Sequence, residues 1–178
     1  QLRQHPDVLV FLGQESATTG DQQKAEKCFN RALDLEPNHV PSLVELGQLR
    51  YKQRRHEACK QCCDAALRLE PLNVDAMWIL AELHRHDSAS SDRWFTDLRT
   101  SAEVSVADIC CAIAKGYVSR KQVTESAYWL QKVQQYVPSD TRVREALRLL
   151  GRQGPGVNPQ EIMDMLQHRL RVEKTVDA

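Results

Sequence analysis

A motif written four times at a nearly constant step constrains this chain more than anything else in it. Leu12-Gly13 recurs 34 residues later as Leu46-Gly47, after another 34 as Leu80-Ala81, and 33 further on as Ile113-Ala114. The closing segment repeats as well. Ala32-Leu33-Asp34-Leu35-Glu36-Pro37-Asn38 returns as Ala66-Leu67-Arg68-Leu69-Glu70-Pro71-Leu72, and Val133 to Pro138 is a weaker copy. Repetition at ~20–50 residues marks stacked supersecondary units, none of which can bury its apolar face alone. Within each unit the apolar residues step by three and four, and no segment alternates with period two, so the chain is expected to be all helical. Small residues mark where paired helices cross closely. Gly20-Asp21 splits the first unit into two helices, and each Glu-Pro dipeptide forces the residue before it out of the helical region, so that the next helix starts afresh.

This pattern resembles that of the tetratricopeptide repeat (TPR) family. The first repeat carries it on Leu9, Leu12, Gly13, Ala25, Phe29, Ala32 and Pro37, the second on Leu43, Leu46, Gly47, Cys59, Cys63, Ala66 and Pro71, and the fourth on Cys110, Ile113, Ala114, Tyr117, Ser126, Leu130, Val133 and Pro138. The third matches only through Met77, Leu80 and Ala81; its second half, Asp87 to Ser105, departs from the pattern with Asp-Ser-Ala-Ser-Ser and with Trp94 near a slot for a small residue. A weak unit lowers cooperativity, so this stretch is expected to open first. The resemblance implies a right-handed superhelical solenoid of antiparallel hairpins at 6–39, 40–73, 74–106 and 107–139, followed by a helix at 140–150. Beyond the Gly151–Gly156 break, Asn158, Pro159 and Glu161 are start signals for a helix over 157–174, whose stripe of Ile162, Leu166 and Leu170 would cap the array or meet another subunit.

Composition removes several classes of function. Twenty-four basic residues balance twenty-four acidic ones, leaving no global field for nucleic acid or an anionic membrane. No apolar run approaches the ~20 residues needed for direct membrane insertion, and a start at Gln1 without a signal-peptide pattern reads as a piece of a longer chain. Six cysteines, four of them in the adjacent pairs Cys62-Cys63 and Cys110-Cys111, suit a reducing, cytoplasmic or otherwise intracellular compartment rather than a disulfide framework. Cys59, Cys62 and Cys63, with Cys28 in the preceding repeat, suggest a thiolate metal site, but Cys59 and Cys63 occupy the slots of Ala25 and Phe29 and read as core; no metal is expected. Cys110 and Cys111 diverge by about 100 degrees on a helix, which places only one of them in the core. His84 and His86 point to different faces, and Gly151–Gly156 lacks the preceding strand of a phosphate loop. No catalytic residue and no cofactor are expected.

What the TPR resemblance implies instead is a concave groove that holds a protein or peptide partner. Its row is Val10, Val44, Trp78 and Cys111, with Gln14, Gln48, Glu82 and Lys115 one turn further on. Trp78, beside the core residue Met77, is the expected anchor. TPR co-chaperones that seize the C-terminal carboxylate of heat-shock chaperones use a Lys, Asn and Arg clamp, whose slots here hold Val10, Gln14, Glu45, Asp75 and Ile79, so that kind of binding is not expected. A basic edge is offered by Arg54, Arg55, Arg120 and Lys121 at the turns between paired helices. The expected function is a scaffold or adaptor module in a larger assembly, binding an apolar or amphipathic segment. The alternative is a regulatory or substrate-recruiting repeat domain attached to an enzyme elsewhere in the polypeptide.

Overall fold

Helices in this chain stop where the sequence stops supporting them. The computed structural model describes residues 5–85, 96, 105–151, 160, 162–164 and 166, and every regular element among them is helical. The helices are α1 (Pro6–Thr18), α2 (Gln22–Leu35), α3 (Val40–Lys52), α4 (His56–Leu69), α5 (Val74–His84), α6 (Val106–Ser119), α7 (Val123–Tyr136) and α8 (Thr141–Gly151). Pro37, Pro71 and Pro138 each sit second in a four-residue linker between hairpins. Side chains then restart four of the helices: Asp21 accepts from the Lys24 amide at 3.0 Å, Asn73 from the Ala76 amide at 3.0 Å, Ser105 from the Asp108 amide at 3.2 Å and Asp140 from the Val143 amide at 3.3 Å, each satisfying a donor the helix itself leaves orphaned.

The turns inside the hairpins share one design. The Asp21 amide donates to the Ser16 carbonyl, Arg55 to Arg50 and Gln122 to Tyr117, while the residue before each closes a shorter loop: Gly20 to Ala17, Arg54 to Tyr51, Lys121 to Val118. This is a Schellman closure, which needs a left-handed residue at its hinge. Gly20 (φ 89°), Arg54 (φ 58°) and Lys121 (φ 60°) supply it.

The chain divides into two compact units, Gln1–Ser91 and Asp92–Ala178, and the division falls inside the 87–105 stretch where the repeat pattern lapses. In the first unit α1 packs on α2, α3 on α4, α2 on α3 and α4 on α5, and the first helices α1, α3 and α5 lie side by side. In the second, α6 packs on α7 and α7 on α8. Residues 160, 162–164 and 166 are helical, with Ile162 and Leu166 buried. The rest of the 157–174 stretch expected to be helical, with Leu170, lies outside the described residues. So do residues 152–156 of the break, His86 and nearly all of the degenerate half-repeat, including Trp94.

Packing follows the repeat register, with two corrections. Ala25, Phe29, Leu46, Leu49 and Cys62 form one core cluster that joins the first hairpin to the second. Cys110 and Cys111 are both fully buried, against the expectation that only one would be. Ala107 to Val118 of α6 are all buried, and a helix covered on every side has no outer face to which a second thiol could turn. Leu12, a pattern residue of the first repeat, is 40% exposed while its counterparts Leu46 and Leu80 are 2% and 0%.

Glycine at the crossing has a measurable reason. A Cβ on Gly13 would lie 2.3 Å from Cε1 of the buried Phe29 ring, whereas one on Gly47 would lie 3.0 Å from Sγ of Cys63. Alanine gains about 1 kcal/mol of helix propensity over glycine, against about 1–3 kcal/mol for overpacking a core. The approach to a fully buried ring puts Gly13→Ala at the upper end of that cost, a net loss of about 1–2 kcal/mol in urea unfolding. Gly47→Ala, which meets only a soft side-chain end, should stay within about 0.5 kcal/mol of the parent. Equal effects at the two sites would mean that the close approach to Phe29 is not what demands glycine.

Candidate partner-binding face

Because α1, α3 and α5 are parallel neighbours, residues one repeat apart fall in rows across them. Val10, Val44 and Trp78 make one row, with Val10 and Val44 buried and Trp78 half-buried. One turn on are Gln14 (exposed), Gln48 (half-buried) and Glu82 (largely buried). Gln14 Nε2 donates to Glu45 Oε1 at 2.7 Å across α1 and α3, and Glu82 Oε1 accepts from Arg85 at 3.2 Å. The fourth members, Cys111 and Lys115, stand on α6 in the second unit, and both are buried. The structure thus brings six of the eight expected row residues together on the first unit. At the carboxylate-clamp slots, Val10 and Ile79 are buried, Asp75 is exposed and Glu45 is half-buried.

One constellation was not anticipated from the sequence. His39, buried at the N-cap of α3, bonds through Nδ1 to Ser42 Oγ at 2.8 Å and through Nε2 to Asp7 Oδ1 at 3.0 Å. It has the composition of a hydrolase triad but a different geometry. Ser42 is fully buried, so no substrate carbonyl can reach its oxygen, and the ring nitrogens are exchanged, with Nδ1 on the serine and Nε2 on the aspartate, so the three side chains form a polar stitch between α1 and α3. The signal that could have revealed it is that His5 and His39 stand 34 residues apart, each at the N-cap of a first helix.

Five of the six cysteines behave as core, and Cys28 is half-buried. Cys59 and Cys63 have no exposed surface; a hydrogen bond between them lowers the Cys59 pKa, while the same bond and burial hold the Cys63 thiol protonated. Burial also pushes up the Cys62 thiol, whose Sγ lies 3.1 Å from Arg50 Nη1. Among the described residues no cluster of His, Cys, Asp and Glu is placed to hold a metal, and no helix is long and apolar enough to cross a membrane.

Both expected basic pairs sit at Schellman turns. Arg54 and Arg55 follow α3, both exposed, with Arg55 bonded to Glu26 at 3.3 Å. Arg120 donates to the Gly116 carbonyl at 3.0 Å and closes its own helix end, beside the exposed Lys121. Arg54 and Lys121 hold the hinge slot that Gly20 fills in the first hairpin. A side chain there costs about 1–2 kcal/mol, partly offset by the roughly 0.5–1 kcal/mol that glycine loses in freedom on folding. Arg54→Gly and Lys121→Gly should each raise stability by up to about 1 kcal/mol, and Gly20→Ala should lower it, in chemical unfolding. A loss of stability in Arg54→Gly would show that its side chain contributes more than its strain costs.

No curated protein sequence matches this chain. Two crystal structures of MamA are similar at 16% identity and TM-score 0.47, covering 93% of this chain and 87% of that one, and at 17% and 0.45, covering 94% and 98%. A crystal structure of YrrB, described as a TPR protein with an unusual peptide-binding site, is similar at 10% identity and TM-score 0.47, covering 93% and 87%. The family model of the cilia and flagella-associated protein 70 middle TPR-like domain matches residues 2–134. That is well over half of the 178 residues, and the chain belongs to this family of tetratricopeptide-like domains.

Proposed function

We propose that this domain is a non-catalytic scaffold or adaptor that holds an apolar or amphipathic segment of a partner protein along the first-helix face of its first unit, as part of a larger assembly. The observation that carries the reading is Trp78. It is half-buried on α5, next to the fully buried Met77 and in register with Val10 and Val44. An aromatic with surface left to cover, at the end of an apolar row flanked by Gln14, Gln48 and Glu82, offers a large rigid contact with polar groups to fix its ligand's direction. The exposed carboxylate of Asp75 and the half-buried one of Glu45 at the clamp slots repel a free C-terminal carboxylate. Internal segments of a partner are therefore favoured over chaperone tails. Arg54, Arg55 and Lys121 add positive charge at the turns, suited to acidic flanks of the ligand.

Partner capture with the domain, identification by mass spectrometry and a repeat with Trp78→Ala provide the test. Losing the anchor should weaken the captured partner more than about tenfold while shifting the melting temperature little. A drop of several degrees with unchanged affinity would make Trp78 structural and defeat the proposal.

A further inference from the structure

We infer that the outer face of α1 is the seat of a further helical hairpin of the same repeat type, joined to α1 on its N-terminal side in the same polypeptide. Its second helix would stack on Leu12 as α2 stacks on Leu46 of α3, and the hairpin as a whole would cover Val8 and Phe11 beside it. The inference starts from register. In α3 the corresponding positions are Ser42, Glu45 and Leu46, and in α5 they are Ala76, Ile79 and Leu80. Five of these six are buried, and Glu45 is half-buried and bonded to Gln14. In α3 the hairpin before them supplies the cover: Leu46 packs with Ala25 and Phe29 of α2, and Glu45 meets Gln14 of α1. In α1 the same positions carry three apolar residues, of which Phe11 is 60% exposed, Leu12 40% and Val8 half-buried. The internal stacking interface is thus continued, in apolar chemistry, on a face that the described residues leave largely uncovered.

An independent feature gives the same register. His39 caps α3 and reaches back to Asp7 of the preceding hairpin, with its side chain 10% exposed. His5 occupies the equivalent cap of α1, but its side chain is 63% exposed and turns to Asp7 of its own helix, at 3.4 Å. A hairpin stacked ahead of α1 would place its counterpart of Asp7 beside His5, as α1 brings Asp7 to His39, and an acid there would complete the same bond.

Area decides between a tethered occupant and a second copy of the chain. Three side chains can bury only a few hundred Å², short of the roughly 1,000 Å² a free-standing interface needs. A tethered hairpin meets no such threshold, because its effective concentration is in the ~millimolar range.

The experiment joins residues 6–38 directly to His5, which preserves the 34-residue step and lays a second copy of Ala25 and Phe29 over Leu12. A second fusion carries residues 40–72 in the same place, so the outcome does not hinge on one added hairpin folding. At least one fusion should melt several degrees above the parent and slow amide exchange in Leu9–Ala17 by about tenfold or more. The double substitution Phe11→Asp, Leu12→Asp should erase that gain, yet move the parent chain by only about 1 °C. If neither fusion changes exchange in α1, or the double substitution harms the parent as much as the fusions, the inference is wrong. It is equally wrong if sedimentation finds the parent dimeric and the double substitution makes it monomeric, since a second copy then covers the face.

Discussion

The stacking of one hairpin's second helix onto the next hairpin's first helix is the interaction on which the first unit depends. A pair of helices such as α1 and α2 touches along one seam only, and an apolar residue pointing away from that seam stays wet unless another hairpin arrives. Leu46 and Leu49 of α3 meet Ala25 and Phe29 of α2 and Cys62 of α4 in one cluster, so the three helices share a core that no hairpin owns. Burying a leucine of this kind is worth about 1.5–3 kcal/mol. The polar stitches that accompany it, Gln14 to Glu45, Gln53 to Gln22 and Arg55 to Glu26, are exposed and individually worth less than about 1 kcal/mol. Apolar stacking therefore supplies the energy, and the stitches set the register.

Asp7, His39 and Ser42 are the exception among these polar contacts, because two of the three are buried. A buried imidazole that lost either partner would leave a polar nitrogen without compensation, at a cost of about 1–3 kcal/mol. The three side chains thus act as a lock that is cheap when closed and costly when one piece is removed, and they tie the start of α3 to the start of α1. Shifting α3 by one residue would break the bond from His39 to Asp7 and also carry Gly47 away from Cys63. Polar and steric requirements agree on a single alignment.

Much of this was legible in the sequence. The spacing of Leu12-Gly13, Ala25, Phe29, Ala32 and Pro37 with their copies fixes helix type, pairing and the close crossings, because each is a local requirement of one residue on its neighbours in the repeat. The cysteines at 59 and 63 were identifiable as core from register alone. Other features depended on what lies around the repeat. Leu12 is a pattern residue in an ordinary sense, but pattern does not say whether a preceding hairpin is present to cover it. Cys111 and Lys115 sit on the same register as Val44 and Gln48, and yet α6 is enclosed on every side, a property of its neighbours. Side-chain bonds between repeats, such as His39 to Asp7, join residues 32 apart, and the recurrence of His5 as His39 shows the cap without showing its partner.

The face proposed to bind a partner is what stacking leaves over. In α1, Leu9, Gly13 and Ser16 are buried along the seam with α2, whereas in α3 the positions of Val8, Leu12 and Glu15 are taken up by the preceding hairpin. A helix of 3.6 residues per turn has room for one more face. That face runs through Asp7, Gln14 and Thr18 in α1 and through Pro41, Gln48 and Lys52 in α3; all six keep exposed surface, and Val10, Val44 and Trp78 lie at its edge. Asp7 and Gln14 on it stitch α1 to α3, whereas Thr18, Pro41, Gln48 and Lys52 take no part in the core cluster, so these can vary while the stack stays intact. Trp78 stands where this freedom adjoins the core, since Met77 beside it is fully enclosed. An aromatic ring held there is positioned by the stack and borders the leftover face, so recognition through it, as proposed, would be coupled to the same apolar contacts that hold the hairpins together.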